Sequence, residues 1–284
     1  MIMQLRDGRQ IAALSVAGSD SGGNAGLQAD LRAFHTFGLH GCTVVASVTA
    51  QNPFGVTAVH VPPADVVAAQ LDAVLPVYGL GAAKTGMLAT REVVETVAGR
   101  FRDRPGLPLV VDPVMVATSG ARLLRDDAVA AVRNALLPLA ALATPNLPEA
   151  EVLLETEIRS KDAMLAAARR LRAEVGCAAV LIKGGHRAGS LAEDVLVCAE
   201  GAFWYASPAI EHPASTHGTG CSLSAAIAAS LALGRALPDA VLEGKAYVYE
   251  AVRTSLPVGE RATVLGMPSV PDLLRHPDVR RTPA

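Results

Sequence analysis

The sequence predicts an α/β protein whose central sheet is mostly parallel and covered by helices on both faces. Short apolar runs alternate with alanine-rich amphipathic stretches, which is the β-then-α order typical of such sheets. Polar or glycine-rich segments follow several of these runs, where an open parallel sheet binds its ligands. No linker or obvious repeat divides the 284 residues, so we expect one domain over residues 1–284.

The predicted elements follow one another along most of the chain. Strands are expected at Ala12–Ala17, Cys42–Val48, Ala82–Thr85, Leu109–Val114, Ala141–Thr144 and Ala178–Lys183. Helices are expected near Leu27–Phe37, Pro63–Val74, Arg91–Arg102, Asp126–Leu136, Glu149–Glu155, Lys161–Glu174, Gly220–Leu233 and Pro238–Ser255. Asp194–Cys198 and Ala202–Ala206 predict an antiparallel hairpin at the sheet edge, and residues 256–284 predict a poorly patterned tail.

Composition restricts the class of partner. Charged residues make up 18% of the chain and the formal net charge is −2, so we expect no nucleic-acid partner. The most apolar stretch, Gly218 to Gly234, contains three serines and a threonine, so we expect no membrane span. Arg6 and Arg9 precede an apolar run as in a signal peptide, but that run is short and leads into a polar loop, which favours a buried first strand. A small molecule is the expected partner.

The four cysteines favour a reducing compartment. They form no C-x-x-C pair and no close cluster, so neither a zinc site nor a disulfide framework is indicated. We therefore expect a cytoplasmic protein.

Two glycine-containing loops follow apolar runs. Gly18–Gly26 holds four glycines in nine residues without the G-x-G-x-x-G spacing of dinucleotide sites, and this density favours close approach to a ligand over a plain turn. The segment around Lys84 lacks the spacing of a P-loop, and the role of that lysine stays open.

Oxygen-bearing side chains follow two further strands. Asp112 leaves one strand, while Asn146 and Glu149 stand three residues apart at the start of a helix. Asn146 and Glu149 can form a capping box. Alternatively, these oxygens suit Mg²⁺ bound to phosphate, since that ion takes few protein ligands. Taken together, the two loops favour metal–nucleotide chemistry.

The segment Thr216–Ser224 opens a long alanine-rich helix. Its glycines bring backbone amides close to a ligand, and a helix N-terminus attracts anions such as phosphate. Cys221 falls in the first turn, where we expect a lowered thiol pKa, although an inert packed cysteine is the alternative. Lys183 follows another apolar strand and supplies a cation for phosphates.

Seven segments resemble, in the same order, the hydroxymethylpyrimidine/phosphomethylpyrimidine kinase family of thiamine biosynthesis, in the ribokinase-like superfamily. They are AGSDSGGNAGLQADL, VTAQNPFGV, KTGML, VVDPVM with the following SG, TPNLPEA, LIKGGH and THGTGCSLSAAIAA. The resemblance implies a three-layer α/β/α ribokinase-like fold, usually a homodimer. It also implies an enzyme that uses ATP and Mg²⁺ to phosphorylate 4-amino-5-hydroxymethyl-2-methylpyrimidine and then its monophosphate.

The resemblance also implies roles for individual residues. The pyrimidine pocket corresponds to Gly18, Ala25, Asp30, Gln51, Met87 and Val114. The ATP side corresponds to Lys183, Asn146 and Glu149, with Glu149 and Asp112 toward the metal. Gly218, Thr219 and Gly220 correspond to the anion hole, and Cys221 stands where related sugar kinases carry an aspartate base, as a base or hydroxyl positioner.

Two segments depart from the family pattern, and two other functions remain open. The chain reads Ser21–Asn24 where the family often has Pro-Ser-Gly-Gly, and its tail lacks the usual glycine-rich segment, so no role is carried beyond Ala251. A pyridoxal kinase would use the same scaffold on a pyridine. A ligand sensor that has lost phosphoryl transfer is disfavoured by the intact phosphate-side motifs.

Overall fold

The computed structural model describes residues 10–115, 124–185, 190–211, 215–268 and 273–284. Arg6, Arg9, Ser119–Gly120 and His186, which the sequence analysis used, lie outside these ranges. The strands are β1 (Ala12–Asp20), β2 (His40–Asn52), β3 (Gly55–His60), β4 (Leu80–Thr85), β5 (Leu109–Val111), β6 (Leu142–Ala143), β7 (Val180–Lys183), β8 (Leu191–Cys198), β9 (Gly201–Pro208), β10 (Leu256–Val258), β11 (Ala262–Val264) and β12 (Arg280–Pro283). The helices are α1 (Gly26–Thr36), α2 (Ala64–Val74), α3 (Arg91–Arg102), α4 (Asp126–Ala131), α5 (Leu147–Leu154), α6 (Lys161–Val175), α7 (Thr219–Ala232) and α8 (Leu237–Arg253).

Most of the described strands form one mixed sheet. Their order is β12-β9-β8-β7-β6-β5-β4-β1-β2-β3, and β10 pairs with β11 separately. The pairs from β2 through β1, β4, β5 and β6 to β7 are parallel, whereas β3 and the β8-β9-β12 group add antiparallel strands at the two edges. The predicted mostly parallel sheet is confirmed.

Two apolar cores lie on opposite faces of the sheet, because side chains along a strand alternate in direction. Leu14 and Val16 of β1 belong to one core, together with Val94 of α3. Ala13 of β1 belongs to the other, together with Phe34 of α1. The arrangement is a three-layer α/β/α sandwich, as the resemblance implied. Within the described ranges, no helix has the length and apolar character needed to cross a bilayer.

Prolines account for two differences from the predicted elements. β5 ends at Val111 rather than Val114, because Pro113 has no N–H to donate to a neighbouring strand. The predicted helix Asp126–Leu136 is regular only to Ala131, then continues as a π-helical turn and a 3₁₀ turn that contains Pro138.

The tail is more ordered than its sequence pattern predicted. β12 pairs with β9, so the predicted hairpin β8-β9 is confirmed but does not form the edge. Arg281 of β12 lies over the ring of Phe203 and donates to Asp239 at 2.7 Å. Both β12 and the unpredicted β3 are largely exposed, so neither shows the apolar alternation that marks a strand in sequence.

Candidate active site

A cavity of about 350 Å³ lies at the carboxyl ends of the parallel strands. It is lined by nearly all of the residues to which the sequence analysis gave a role: Gly18, Ala25, Gln51, Met87, Asp112, Val114, Asn146, Glu149, Lys183, Gly218, Thr219, Gly220 and Cys221. Asp30 is the exception. The fold therefore brings together residues that are spread over most of the sequence.

The N-terminus of α7 forms one wall of this cavity. Gly218 caps the helix with a φ of 88°, and a Cβ there would lie 1.9 Å from the backbone oxygen of Asn24, so only glycine fits. Thr219 N donates to Thr216 O at 3.4 Å, whereas the amides of Gly220 and Cys221 stand in the first turn, where backbone N–H groups have no acceptor within the helix. This turn is therefore suited to binding an anion.

A lysine and a carboxylate lie beside the same turn. Lys183 Nζ donates to Asp112 Oδ1 at 2.7 Å, and a Cβ on Gly220 would come within 3.4 Å of that Nζ. Thr144 and Ser224 each donate a hydroxyl to Asp112 at 3.3 Å. An anion held by the helix amides would therefore also face the ammonium group of Lys183.

Asn146 and Glu149 form the capping box that the sequence analysis considered. Asn146 N donates to Glu149 Oε2 and Glu149 N donates to Asn146 Oδ1, both at 2.8 Å. Burial, opposed by the charge of Lys183, raises the pKa of Glu149 to about 7. The box does not exclude a ligand role, because Glu149 also lines the cavity.

The acidic groups fit a metal ion that arrives with phosphate. Among the described residues, no group of three His, Cys, Asp or Glu side chains is placed to hold an ion by itself. Glu149 and Asp112 are both buried and line the cavity together. Mg²⁺ is usually held by one or two carboxylates plus phosphate oxygens and water, so this donor set suits it.

The prediction of a lowered thiol pKa at Cys221 is wrong. Burial raises the pKa of this thiol above its ordinary value, and nearby Asp30 and Asp112 add to the effect, while the ammonium of Lys84 opposes it. Desolvation therefore outweighs the helix N-terminus. Cys221 lines the cavity as a protonated thiol.

Asp30 does not line the cavity, and its side chain is fully buried. It accepts 2.9 Å bonds from Lys84 Nζ and a bond from Ser15 Oγ. Burial raises the pKa of the Asp30 carboxyl, which the charge of Lys84 opposes; the pKa of Lys84 is raised by Asp30 despite its own burial. Asp30 therefore lies behind the cavity wall, and its assignment to the pyrimidine pocket stays a prediction.

The loop after β1 folds around a residue that the sequence analysis did not select. Asp20 accepts backbone N–H bonds from Gly22, Asn24 and Ala25 at 2.8–3.0 Å. Although burial acts in the opposite direction, hydrogen bonds from His217 and these amides lower the pKa of Asp20 below its ordinary value. The glycine-rich loop thus binds its own carboxylate. Only the local density of glycine marked it in the sequence.

His217 is a second cavity residue for which the sequence predicted no role. Its Nε2 lies 2.9 Å from Gln51 Nε2 and 3.4 Å from Asp20 Oδ2. Asn24 Nδ2 donates to the backbone oxygen of His217 at 2.7 Å. The loop after β1 and the start of α7, nearly 200 residues apart in sequence, are thereby fixed to one another.

The opposite end of the cavity is mostly apolar. It is lined by Ile210, Leu223, Val248 and Val252. Among the described residues at this end there is one ion pair, in which Lys245 Nζ lies 2.6 Å from Asp194 Oδ2. These residues come from β8, the segment after β9, α7 and α8. No motif marked them in the sequence.

Comparisons with known proteins show similarity to one family of kinases. The family model described as phosphomethylpyrimidine kinase matches residues 20–265. A hydroxymethylpyrimidine/phosphomethylpyrimidine kinase of Rhizobium meliloti is 48% identical over 240 residues, which is 84% of this chain and 90% of that protein.

Solved structures of vitamin kinases share the fold. The phosphomethylpyrimidine kinase of Clostridium difficile is 36% identical, with a TM-score of 0.75 and coverage of 86% of this chain and all of that one. The pyridoxal kinase of Staphylococcus aureus, in complex with AMP-PCP and pyridoxal, is 29% identical, with a TM-score of 0.83 and coverage of 95% and 98%.

Proposed function

The chain belongs to the phosphomethylpyrimidine kinase family, and we propose that it transfers phosphate from ATP to 4-amino-5-hydroxymethyl-2-methylpyrimidine and then to the resulting monophosphate. It is a phosphotransferase of thiamine biosynthesis. The observation that carries the site assignment is the open turn at Gly218–Cys221 beside Lys183, because phosphoryl transfer requires chiefly positioning and neutralisation of charge.

The two substrates are proposed to enter from opposite ends of the cavity. The nucleotide base would occupy the apolar end near Val248, and its terminal phosphate would meet the amides of α7 and Lys183. The ring would lie among Gly18, Met87 and Gln51, with its hydroxymethyl group directed at the transferring phosphoryl group. An in-line arrangement of this kind supplies much of the rate enhancement by orientation.

Cys221 is proposed as a residue that positions the hydroxyl group. Because its thiol pKa is raised, only a minor fraction is thiolate near neutral pH, which disfavours a role as base. Because the transition state of phosphoryl transfer is loose, catalysis depends mainly on positioning and charge stabilisation rather than on a base. The thiol still offers a donor and an acceptor in the first turn of α7.

A magnesium ion is proposed to accompany ATP, with Glu149 and Asp112 on its protein side. The ion would neutralise phosphate charge during transfer. It would also stabilise the ionised form of Glu149, which burial disfavours in the protein without metal. The ammonium group of Lys183, which pairs with Asp112, would also face the bound phosphates.

A pyridoxal kinase is the second candidate, because such an enzyme shares the fold over nearly the whole chain. A coupled assay of ADP release would compare the pyrimidine, pyridoxine and pyridoxal, and mass spectrometry would identify mono- and diphosphate products. We expect the pyrimidine to have the highest kcat/KM and to yield diphosphate. A higher kcat/KM for pyridoxal would overturn the assignment, and no ADP release with any of them would indicate a ligand sensor.

The homodimer implied by the resemblance is proposed to form at the β3 edge of the sheet. Val48 on β2, Phe54 in the turn between β2 and β3, and Val59 on β3 are exposed. Unpaired edge strands with apolar side chains favour association. Light scattering during gel filtration should give a dimer, with Val59→Lys shifting it to a monomer. A wild-type monomer would refute this.

A cytoplasmic location is also proposed. All four cysteines are unpaired, which is the state expected in a reducing compartment.

A further inference from the structure

One ring nitrogen of His217 lies close to both Gln51 and Asp20. Its Nε2 lies 2.9 Å from Gln51 Nε2 and 3.4 Å from Asp20 Oδ2. All three residues line the cavity, where the ring of the alcohol substrate is proposed to bind. The His217 side chain is only 15% exposed. Gln51 already has a proposed ring contact, whereas His217 has no role in the transfer described above.

If the amide nitrogen of Gln51 faces the imidazole, the hydrogen-bonding needs of Gln51, His217 and Asp20 cannot all be met. An amide nitrogen only donates, so His217 Nε2 would have to accept and would carry no proton. Its lone pair would then also face the carboxylate of Asp20, whose ionised form is favoured by N–H bonds from three backbone amides. A carboxylate at this distance instead favours a proton on Nε2.

With that proton in place, the Gln51 amide must turn over so that Oε1 faces His217. The oxygen and nitrogen of a terminal amide are assigned from hydrogen bonding, and here the carboxylate determines the assignment. Asp20 is itself immobile, since three backbone amides of its loop hold it.

We propose, on the basis of the proposed function, that His217 is a positioning residue that holds the Gln51 amide with its oxygen toward α7 and thereby selects the ring substrate. On this proposal the Gln51 amide atom beside His217 would lie toward the phosphate turn, because His217 immediately precedes Gly218. A ring whose hydroxymethyl group points to that turn would meet Oε1 first and Nε2 second.

This order matches an aminopyrimidine. In 4-amino-5-hydroxymethyl-2-methylpyrimidine, the substituent beside the hydroxymethyl group is an amine, which donates, and the next ring atom is a nitrogen, which accepts. In pyridoxal the corresponding substituent is an aldehyde, which only accepts and would face Oε1. His217 therefore discriminates between the two rings without contacting either one.

The test is a double-mutant comparison of substrate preference. His217→Leu should lower the ratio of kcat/KM for the pyrimidine to kcat/KM for pyridoxal by roughly tenfold, the effect of one hydrogen bond. In a Gln51→Ala background the same substitution should leave the ratio unchanged, and His217→Gln, which retains an N–H donor, should restore much of it. An equal loss for both rings, or an effect that persists without Gln51, would overturn the proposal.

A second measurement needs no substrate and separates this proposal from the assigned activity. Long-range ¹H–¹⁵N spectra of histidine-labelled protein, with His217 identified by its loss in His217→Leu or His217→Gln, report which ring nitrogen carries the proton. We expect protonated Nε2 in the unliganded wild-type chain. A proton on Nδ1 alone would refute the proposal even if the pyrimidine is turned over. If the pyrimidine is not a substrate, the proposed function fails and the tautomer still decides the role of His217.

Discussion

The loop after β1 and the turn that begins α7 are both rich in glycine, face the same cavity and touch each other, yet they use their backbone amides differently. In the first, the amides of Gly22, Asn24 and Ala25 are occupied by the carboxylate of Asp20. In the second, no described carboxylate accepts from the amides of the first helical turn, and Lys183 stands beside them. A glycine-rich loop becomes an anion site only when the chain does not supply its own anion.

The largest effect is expected from distorting the turn at Gly218–Cys221. In Gly218→Ala, a methyl group would collide with the backbone of Asn24, and residue 218 would have to keep a positive φ. We expect kcat to fall about 10³-fold because the amides of the turn would no longer point at the phosphoryl group. Steady-state kinetics with thermal unfolding checks this. Gly234→Ala is the matched control, since φ there is 79° but a Cβ would meet nothing within 4 Å. Equal losses in the two variants would mean that backbone strain, not the turn, is responsible.

The next largest effect is expected from the thiol inside the open turn. Cys221→Ala should lower kcat about 10²-fold because the hydroxyl group loses its positioning partner, whereas Cys221→Ser should retain most of the rate. Because burial raises the thiol pKa, we expect wild-type kcat to show no thiol titration at or below the ordinary thiol pKa. Rate measurements across pH for the three proteins check this, and normal turnover in Cys221→Ala would refute any role.

A smaller effect is expected from the carboxylate assigned to the metal. Glu149→Gln keeps the capping box, because an amide oxygen still accepts from Asn146 N, but removes the charge. We expect about tenfold more Mg²⁺ for half-maximal activity, with unchanged thermal stability. Glu155→Gln, an exposed change just after α5, is the control. An unaltered Mg²⁺ requirement in Glu149→Gln would exclude this residue from the metal site.

The smallest effect on kcat, and the clearest effect on stability, is expected from Asp20, whose carboxylate binds the amides of the loop after β1. Asp20→Asn weakens three hydrogen bonds to a charged acceptor, so we expect a loss of about 2 kcal/mol in the free energy of unfolding at pH 7. Because the folded pKa of Asp20 is lowered, its stabilisation is present above the ordinary carboxyl pKa and is lost as pH falls through the folded value.

Urea unfolding at several pH values measures that dependence. The difference between wild type and Asp20→Asn should shrink from pH 7 toward pH 3. A difference independent of pH would mean that the ionised carboxylate is not what holds the loop.

The same comparison explains how far the sequence could predict the site. The parallel sheet, the layers and the residues of the open turn were predictable, because period, strand-end position and motif are local properties. The sequence did not show which glycine-rich segment stays open, because nothing local marks Asp20, at the end of β1, as the carboxylate around which the backbone folds. The thiol pKa of Cys221 was mispredicted because burial depends on packing with Lys84 and Asp30, which lie far away in sequence.

The tail shows a different limit of prediction. β12 carries no apolar alternation, and it pairs with β9 through backbone hydrogen bonds that any residue but proline can form. Its position could not be derived from side-chain pattern.

The most direct test of the account is the structure of the protein with AMP-PCP and the pyrimidine alcohol bound. We expect the terminal phosphate to accept hydrogen bonds of about 3 Å from the amides of Gly220 and Cys221, with the hydroxymethyl group on its far side. A terminal phosphate held elsewhere in the cavity, with these amides left to water, would contradict the central claim.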